Sequence, residues 1–389
     1  MPYTSRHVVF IINSLEGGGA EGVMCRLLGI MQSYFTEQHA KVFLVLLDDV
    51  AQAYGAPEYV EKVVLNSNGS LLKGFSLLQS TLKKIQPALC FSFLTRANVL
   101  NVVLSKRIGY AAFISERVAT SSHFAHGLKS MISKALVRFT YPKADRIVAC
   151  SAGVEADLIK NFGVPKSKTA ILYNPYEMEA IVTKAAEPVA DLPTNPYIVA
   201  TGRLATIKNF SMLITSFARS STPFDLVILG QGELEEKLKT QAKDLGVEKR
   251  VHFLGFKKNP YPYVKQAQFF VSTSNAEGFP NAIVEAMCLS KAILATNCES
   301  GPAEIIADQY PLDLSGFSPS KFGCLSPVND EASFTQGINF LSDKNQQARF
   351  GALSRIRADD FSNEIFERKM IDLIEGHNPK ETSPYVRAG

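Results

Sequence analysis

At 389 residues the chain exceeds what one hydrophobic core usually organises, so two domains of roughly 180 to 200 residues are expected, with the cleft between them as the default ligand site. Hydrophobic residues make up 46% and charged residues 20%, the balance of a soluble globular protein, and no apolar run reaches the ~18 to 20 residues of a membrane span. The formal net charge of +4 is uneven: residues 1–178 hold 19 Lys and Arg against 12 Asp and Glu, or +7, and the remainder carries −3. A basic first half points to an anionic surface or acceptor, and without basic tails or interleaved aromatic and basic motifs it is weak evidence for nucleic acid, so no nucleic-acid partner is expected.

The six cysteines, Cys25, Cys90, Cys150, Cys288, Cys298 and Cys324, are scattered without a CxxC pair, which indicates neither disulfides nor a zinc site. The histidines are equally dispersed, so no metal is expected. Residues 7–13 are too short an apolar run for a secretion signal and flow into glycines with no cleavage site, so a cytoplasmic protein is expected.

That run reads as the first strand, followed by a glycine turn and a helix over 22–34 with apolar Val23, Leu27, Leu28 and Met31. Together they open a βαβ unit in which Gly17, Gly18 and Gly19 let backbone amides approach an anion or a sugar; an isolated tight turn is the alternative. The spacing fits neither a dinucleotide fingerprint nor an ATP phosphate loop.

Strand-like runs recur at 42–47, 89–93, 112–115, 147–149 and 170–172 between helical patterns, as in a parallel sheet covered on both faces. Ligands of such sheets bind beyond the carboxyl ends of strands, where Arg96, Glu116 and Arg117 follow. Each could meet an acceptor, and a salt bridge or a helix cap fits each equally well. Over 126–146, apolar Leu128, Met131, Ile132, Ala135, Leu136 and Phe139 alternate at helical spacing with Lys129, Lys134, Arg138, Lys143 and Arg146. This basic amphipathic segment reads either as a helix on anionic lipid headgroups or as a core-facing helix with a solvated basic face.

The proline-rich and polar stretch to Pro196 reads as a linker, giving a first domain of residues 1–178, a linker at 179–196 and a second domain at 197–360. Ile365, Phe366, Met370, Ile371 and Ile374 form the apolar stripe of a final helix, 361–377, able to cross back to the first domain, and the polar tail 378–389 is expected to be mobile.

The second series starts with a strand at 197–201, then Gly202, Arg203 and, five residues on, Lys208. Both cations can converge on one diphosphate, the arginine as a fork and the lysine as a point charge, and can stabilise its departure without a metal. A strand at 224–229 ends at Gly230, a helix spans 233–245, and a strand at 251–254 leads to Gly255 and Phe256; Gly230 and Phe256 suit a nucleotide base, with plain turns as the alternative.

A buried strand at 269–273 then enters a loop with Glu277, Gly278 and Phe279, and Pro280 and Asn281 start a helix that carries Glu285. Helical side chains tilt toward the N-terminus, so Glu285 can lean toward the opening that Glu277 lines. That opening also holds free amides and the positive end of the helix dipole, which suit a phosphate. A nucleotide sugar, with hydroxyls and phosphates, matches this set; a capped helix with two solvated glutamates is the bland alternative.

Gly17-Gly18-Gly19-Ala20-Glu21, Gly202-Arg203-Leu204 with Lys208-Asn209, and Glu277-Gly278-Phe279-Pro280-Asn281 through Glu285-Ala286, in this order, resemble the retaining glycosyltransferases of family 4. Ile114-Ser115-Glu116-Arg117 and Ser300-Gly301-Pro302-Ala303-Glu304 add a likeness to bacterial members that build polysaccharide or lipid-linked oligosaccharide, such as O-antigen or capsule. The resemblance implies an α/β protein of the GT-B fold, two Rossmann-like doubly wound domains facing across a cleft. It implies that Arg203 and Lys208 hold the donor diphosphate, that Glu277 contacts donor-sugar hydroxyls and that Glu285 binds the ribose. The Gly17 to Gly19 backbone would face phosphate and sugar. The donor is expected to be a UDP-sugar and the acceptor a glycan, lipid-linked, with the enzyme peripheral at the inner face of the plasma membrane. Retention in this family is explained by a front-face substitution, which fits the lack of an assignable nucleophile and base. Many members carry a histidine where this chain reads Ser115-Glu116-Arg117. The rival readings are a UDP-sugar epimerase of similar fold and a non-catalytic nucleotide-sugar-binding protein.

Overall fold

The computed structural model describes residues 7–123 and 128–376, without the side chains of residues 122, 123, 128 and 129. Two compact units divide the chain: residues up to Pro175 joined by those from Asn363, and Tyr176–Ser362.

In the first unit the runs of β-branched, leucine and aromatic residues form seven parallel strands, β1 (His7–Ile12), β2 (Lys41–Leu46), β3 (Val60–Val64), β4 (Leu89–Phe93), β5 (Ala111–Glu116), β6 (Arg146–Ala149) and β7 (Thr169–Ile171). Their order is β3-β2-β1-β4-β5-β6-β7, with Val8 of β1 aligned on Val42 of one neighbour and Leu89 of the other. The edge strand β3 escapes the sequence pattern because Glu61 and Lys62 interrupt it, and Glu61 pairs with Lys41 at 2.7 Å on the exposed margin. The helix Asn363–Glu375 completes this unit: Phe366, Met370, Leu373 and Ile374 are buried among Phe10, Leu28, Phe35 and Phe91. The tail 378–389 lies outside the described residues.

The helix Leu128–Thr140 buries Val137 but leaves Met131 and Phe139 each 68% exposed and Ile132 54% exposed. Its apolar stripe therefore points outward, unlike the core-facing arrangement that amphipathicity alone allows.

The second unit repeats the architecture with β8 (Tyr197–Thr201), β9 (Asp225–Leu229), β10 (Val251–Phe253), β11 (Phe269–Ser272), β12 (Ala292–Thr296), β13 (Ser318–Pro319) and β14 (Cys324–Ser326), ordered β10-β9-β8-β11-β12-β14-β13. All neighbours are parallel except the short edge pair β13 and β14. The stretch read as a linker at 179–196 belongs to this unit. It begins inside the helix Met178–Lys184 with Ile181 buried, and Asp191 accepts from Tyr263 Oη (2.6 Å) and pairs with Lys257 (2.5 Å). Its polar residues are anchors here, which composition alone does not distinguish from solvated linker residues.

Where β8, β9 and β10 end, their backbones interlock. Gly202 N–H donates to Leu229 O (2.9 Å), Leu204 N–H to Gln231 O (3.0 Å) and Gly230 N–H to Gly255 O (2.8 Å). Gly230 has φ +144°, and a Cβ placed there would lie 1.9 Å from the carbonyl oxygen of Gly202. Only glycine meets both demands. Gly230→Ala is expected to destabilise the second unit by roughly 2 to 5 kcal/mol, read as a lowered urea midpoint. Gly29→Ala, a helical position with nothing within 4 Å of the added carbon, is the control and should leave the midpoint unchanged or slightly raised. An unshifted midpoint for Gly230→Ala would contradict the close approach.

Candidate active site

In the second unit, β8 and β11 are the central neighbours from which the strand order runs in opposite directions, the switch point at which open α/β sheets bind ligands. Their two C-terminal loops are stitched together. Asn275 N–H donates to Ile207 O (2.8 Å), Thr273 Oγ1 donates to Lys208 O (2.9 Å), and Asn209 Nδ2 donates to Asn275 Oδ1 (3.0 Å). Asn209, at φ 49°, also caps the helix Phe210–Arg219 through Met212 N–H. This lattice brings Lys208 Nζ to 2.5 Å from Glu277 Oε1, which also accepts from Ser274 Oγ at 2.6 Å. The two side chains are 28% and 13% exposed, so the pair is shielded yet reachable. Both bonds fall on Oε1. Among the described residues Glu277 Oε2 accepts no hydrogen bond and remains available to a hydroxyl.

Beside this pair opens a cavity of 690 Å³ lined by Thr201, Gly202, Arg203, Gly230, Phe256 and Lys257, among others. Arg203 is 77% exposed, and among the described residues its ion pair is a loose one with Glu233 at 3.9 Å, so its guanidinium is free to turn toward an anion. Phe256, 69% exposed, offers an aromatic face at the rim. The size and lining suit a nucleoside with its phosphates on the cations. A second hollow of 340 Å³, beyond the ends of β12 and β14, is lined by Asn297, Cys298, Glu299 and Asp313, with no cation, and does not suit a phosphate.

Pro280 precedes the helix Asn281–Cys288, with Ile283, Val284 and Met287 turned into the core and Glu285 half-buried on the other side. Burial, with Glu285 nearby, pushes the Cys288 thiol up to about 12. Gly278 and Phe279 are buried beneath the loop. Sequence reading overlooked Lys257 and Ser274. Lys257 adjoins the expected Phe256, and Ser274 precedes the glutamate by the three residues typical of a local side-chain contact.

In the first unit, Gly17, Gly18 and Gly19 form the exposed turn between β1 and the helix Gly19–Ile30, and Gly18 is its N-cap. The three residues placed on the acceptor side come out differently. Arg96 pairs through Nη2 with Asp48, whose carboxyl burial would raise; hydrogen bonds from Arg96, Gly69 and Ser67 prevail and hold it below the usual carboxylate range. Arg96 is therefore committed to a half-buried ion pair. Glu116 is 1% exposed, accepts from Tyr141 Oη (2.7 Å) and from Arg117 N–H (3.1 Å), and burial pushes its pKa up to about 7. Arg117 lies under the surface, donating to Ser115 Oγ (3.3 Å) and to Asn174, its guanidinium 5.2 Å from the Phe93 ring. Glu116 and Arg117 thus form an interior polar network with Asn98, which donates to Ser115 O (2.8 Å) and Tyr141 Oη (3.0 Å). Asn98 and Asn101, i and i+3 on a buried helix, were the sequence signal for that network.

Among the described residues no three His, Cys, Asp or Glu side chains converge as a metal centre requires.

Residues 182–356 match the family described as Glycosyl transferases group 1, and residues 70–180 match Glycosyltransferase Family 4. The chain is 32% identical, over 94% of its length and 98% of the relative's, to the N-acetylgalactosamine-N,N'-diacetylbacillosaminyl-diphospho-undecaprenol 4-alpha-N-acetylgalactosaminyltransferase of Campylobacter jejuni. Among solved structures it resembles the lipopolysaccharide outer core galactosyltransferase WaaB in its apo form, with a TM-score of 0.75, 19% identity and coverage of 95% of this chain and 99% of that one. The Anabaena protein HepE in complex with UDP-glucose gives a TM-score of 0.71 at 19% identity, covering 95% and 99%. These likenesses span both parallel-sheet units, the second of which carries the Lys208–Glu277 pair, and with them the chain belongs to the family 4 glycosyltransferases, sugar-transferring enzymes of the GT-B fold.

Proposed function

We propose that this glycosyltransferase takes a UDP-sugar in its second unit and transfers the sugar, with retention of configuration and without a metal, to a lipid-linked glycan acceptor. The observation that carries the reading is the Lys208–Glu277 pair, with Lys208 against Gly202, beside a nucleoside-sized cavity lined by Gly202, Arg203 and Phe256. The Campylobacter relative, named for an undecaprenyl-diphosphate-linked acceptor, supports the lipid-linked class, and the UDP-glucose complex of HepE supports the nucleotide.

Each group has a part. Phe256 and the Gly230 backbone receive the base. The Arg203 fork and the Lys208 ammonium take the diphosphate, and their charge lowers the barrier as negative charge builds on the leaving UDP. Glu277 Oε2 accepts a donor-sugar hydroxyl and fixes the ring. The acceptor hydroxyl oxygen forms a bond to the anomeric carbon as the bond from that carbon to the UDP oxygen breaks. The acceptor's proton passes to the departing diphosphate on the same face, so no protein nucleophile or base is consumed. The proposed placement is peripheral, on the cytoplasmic side of the membrane.

For the membrane, the motive is the outward stripe of Met131, Ile132 and Phe139 beside Lys134 and Arg138, in a half of the chain that carries +7. An exposed apolar stripe with basic neighbours fits an anionic lipid surface.

The chemistry is tested by UDP release from a panel of UDP- and GDP-sugars, in EDTA, with and without a lipid-linked saccharide. Acceptor-dependent release from one UDP-sugar is expected, with Arg203→Ala and Glu277→Ala each lowering turnover about 10²- to 10³-fold. Loss of activity in EDTA that divalent metal restores would refute metal independence, and donor conversion without acceptor would indicate an isomerase. The membrane contact is tested by sedimentation with phosphatidylglycerol vesicles: the double variant Lys134→Glu, Arg138→Glu should bind at least about tenfold more weakly, at ~1 kcal/mol for each basic residue near the surface. Equal binding of the two proteins would remove the lipid role from this helix.

A further inference from the structure

We infer that Arg357, on the helix Lys344–Ala358, is a positioning residue that holds the sugar-binding loop around Glu277 in its working geometry. The inference rests on the reading that Glu277 contacts the donor sugar. Arg357 is 3% exposed, and its guanidinium satisfies two elements at once. Nη2 donates to Glu304 O (2.6 Å) and Nε to Ile305 O (3.1 Å), carbonyls in the last turn of the short helix Pro302–Ile306. By these two bonds the arginine serves as the helix's C-terminal cap. Its charge is balanced by Asp308 at 3.1 Å and Asp360 at 2.8 Å. The guanidinium plane also lies 5.2 Å from the Phe322 ring and 5.1 Å from the Phe361 ring.

Both routes lead to the same loop. At the far end of the short helix, Ser300 Oγ donates to Gly278 O (2.8 Å) and Gly301 N–H donates to the Glu304 carboxylate (3.2 Å). Gly301 sits at φ +97°, and a Cβ there would come within 2.3 Å of Pro280 Cδ, so the helix start is pressed against the loop. On the other route, Phe361 packs edge-on against Phe279 at 5.7 Å. The residues gripped, Gly278, Phe279 and Pro280, directly follow Glu277. A strut fixed at one end by Arg357 and a ring wedge fixed by the same guanidinium therefore bracket the segment that aims the carboxylate. Lysine carries the charge but lacks the planar fork that reaches both carbonyls and both carboxylates. None of these residues lines the cavity that holds Arg203 and Phe256.

The test separates positioning from folding. Arg357→Lys should lower kcat about 10- to 100-fold while UDP affinity, measured by calorimetry, stays within about twofold, since small misplacements of a substrate-orienting group cost about that much. Millimolar guanidinium should restore part of the kcat of Arg357→Ala and nothing in Arg203→Ala. Ser300→Ala, which removes one strut contact and leaves the buried charge intact, should lower kcat about three- to tenfold with unchanged melting temperature. The inference is overturned if Arg357→Lys loses only thermal stability at unchanged kcat per folded molecule, or if UDP affinity falls in step with kcat. Full activity of Glu277→Ala would instead refute the role of Glu277, a separate result visible without any Arg357 variant.

Discussion

The second unit depends on a place where two loops touch backbone to backbone. Gly202 and Gly230, at the ends of β8 and β9, approach until no Cβ fits between them, and a chain of amide-to-carbonyl bonds runs on to Gly255 at the end of β10. Gly202 and Gly230 both line the cavity, and the bonded loops fix the exits of the chain from three adjacent strands. Arg203 follows the first of those exits by one residue and Lys208 by six, so the position of both cations is inherited from the glycine contact. Main-chain groups are stiff, and a site founded on them needs little rearrangement when a ligand arrives.

The electrostatics follow from that frame. Lys208 leans on Glu277, a short contact that keeps the ammonium compensated in a shielded place. In the proposed reaction a diphosphate brings its own negative charge to Lys208, while the glutamate keeps Ser274 as a donor and turns its second oxygen to a sugar hydroxyl. One ion pair can thus open onto two halves of one ligand. Arg203, more exposed and loosely held by Glu233, is the more adaptable of the two proposed phosphate-binding cations.

Much of this was legible in the sequence because it depends on local patterns. Strands β4 and β8 match the runs read at 89–93 and 197–201, since buried parallel strands are continuous apolar stretches with clear ends. Strand β3 was missed because its charged residues sit on an edge, where alternation is weak. The Lys208–Glu277 contact joins residues 69 apart, which spacing cannot foresee, although each was singled out on its own. Glu116 and Arg117 were left open between an acceptor contact and a structural one because the end of a strand announces a loop without telling whether the side chain points up to solvent or down into the sheet. Their neighbours Asn98 and Tyr141, distant in sequence, decide that, and they turn a charged pair into interior scaffolding.

The first unit is discontinuous, with the helix Asn363–Glu375 closing a core whose other members lie before Pro175. On the ribosome its strands emerge first, yet they stay without Phe366, Met370, Leu373 and Ile374 until the whole second unit, residues 176–362, has been made. The second unit, continuous in sequence, can finish its core earlier. The order in which the two cores can be completed thus runs opposite to the usual N-terminal-first order. During that interval an incomplete apolar face of the first unit is open to solvent, the period in which a nascent chain most needs a chaperone.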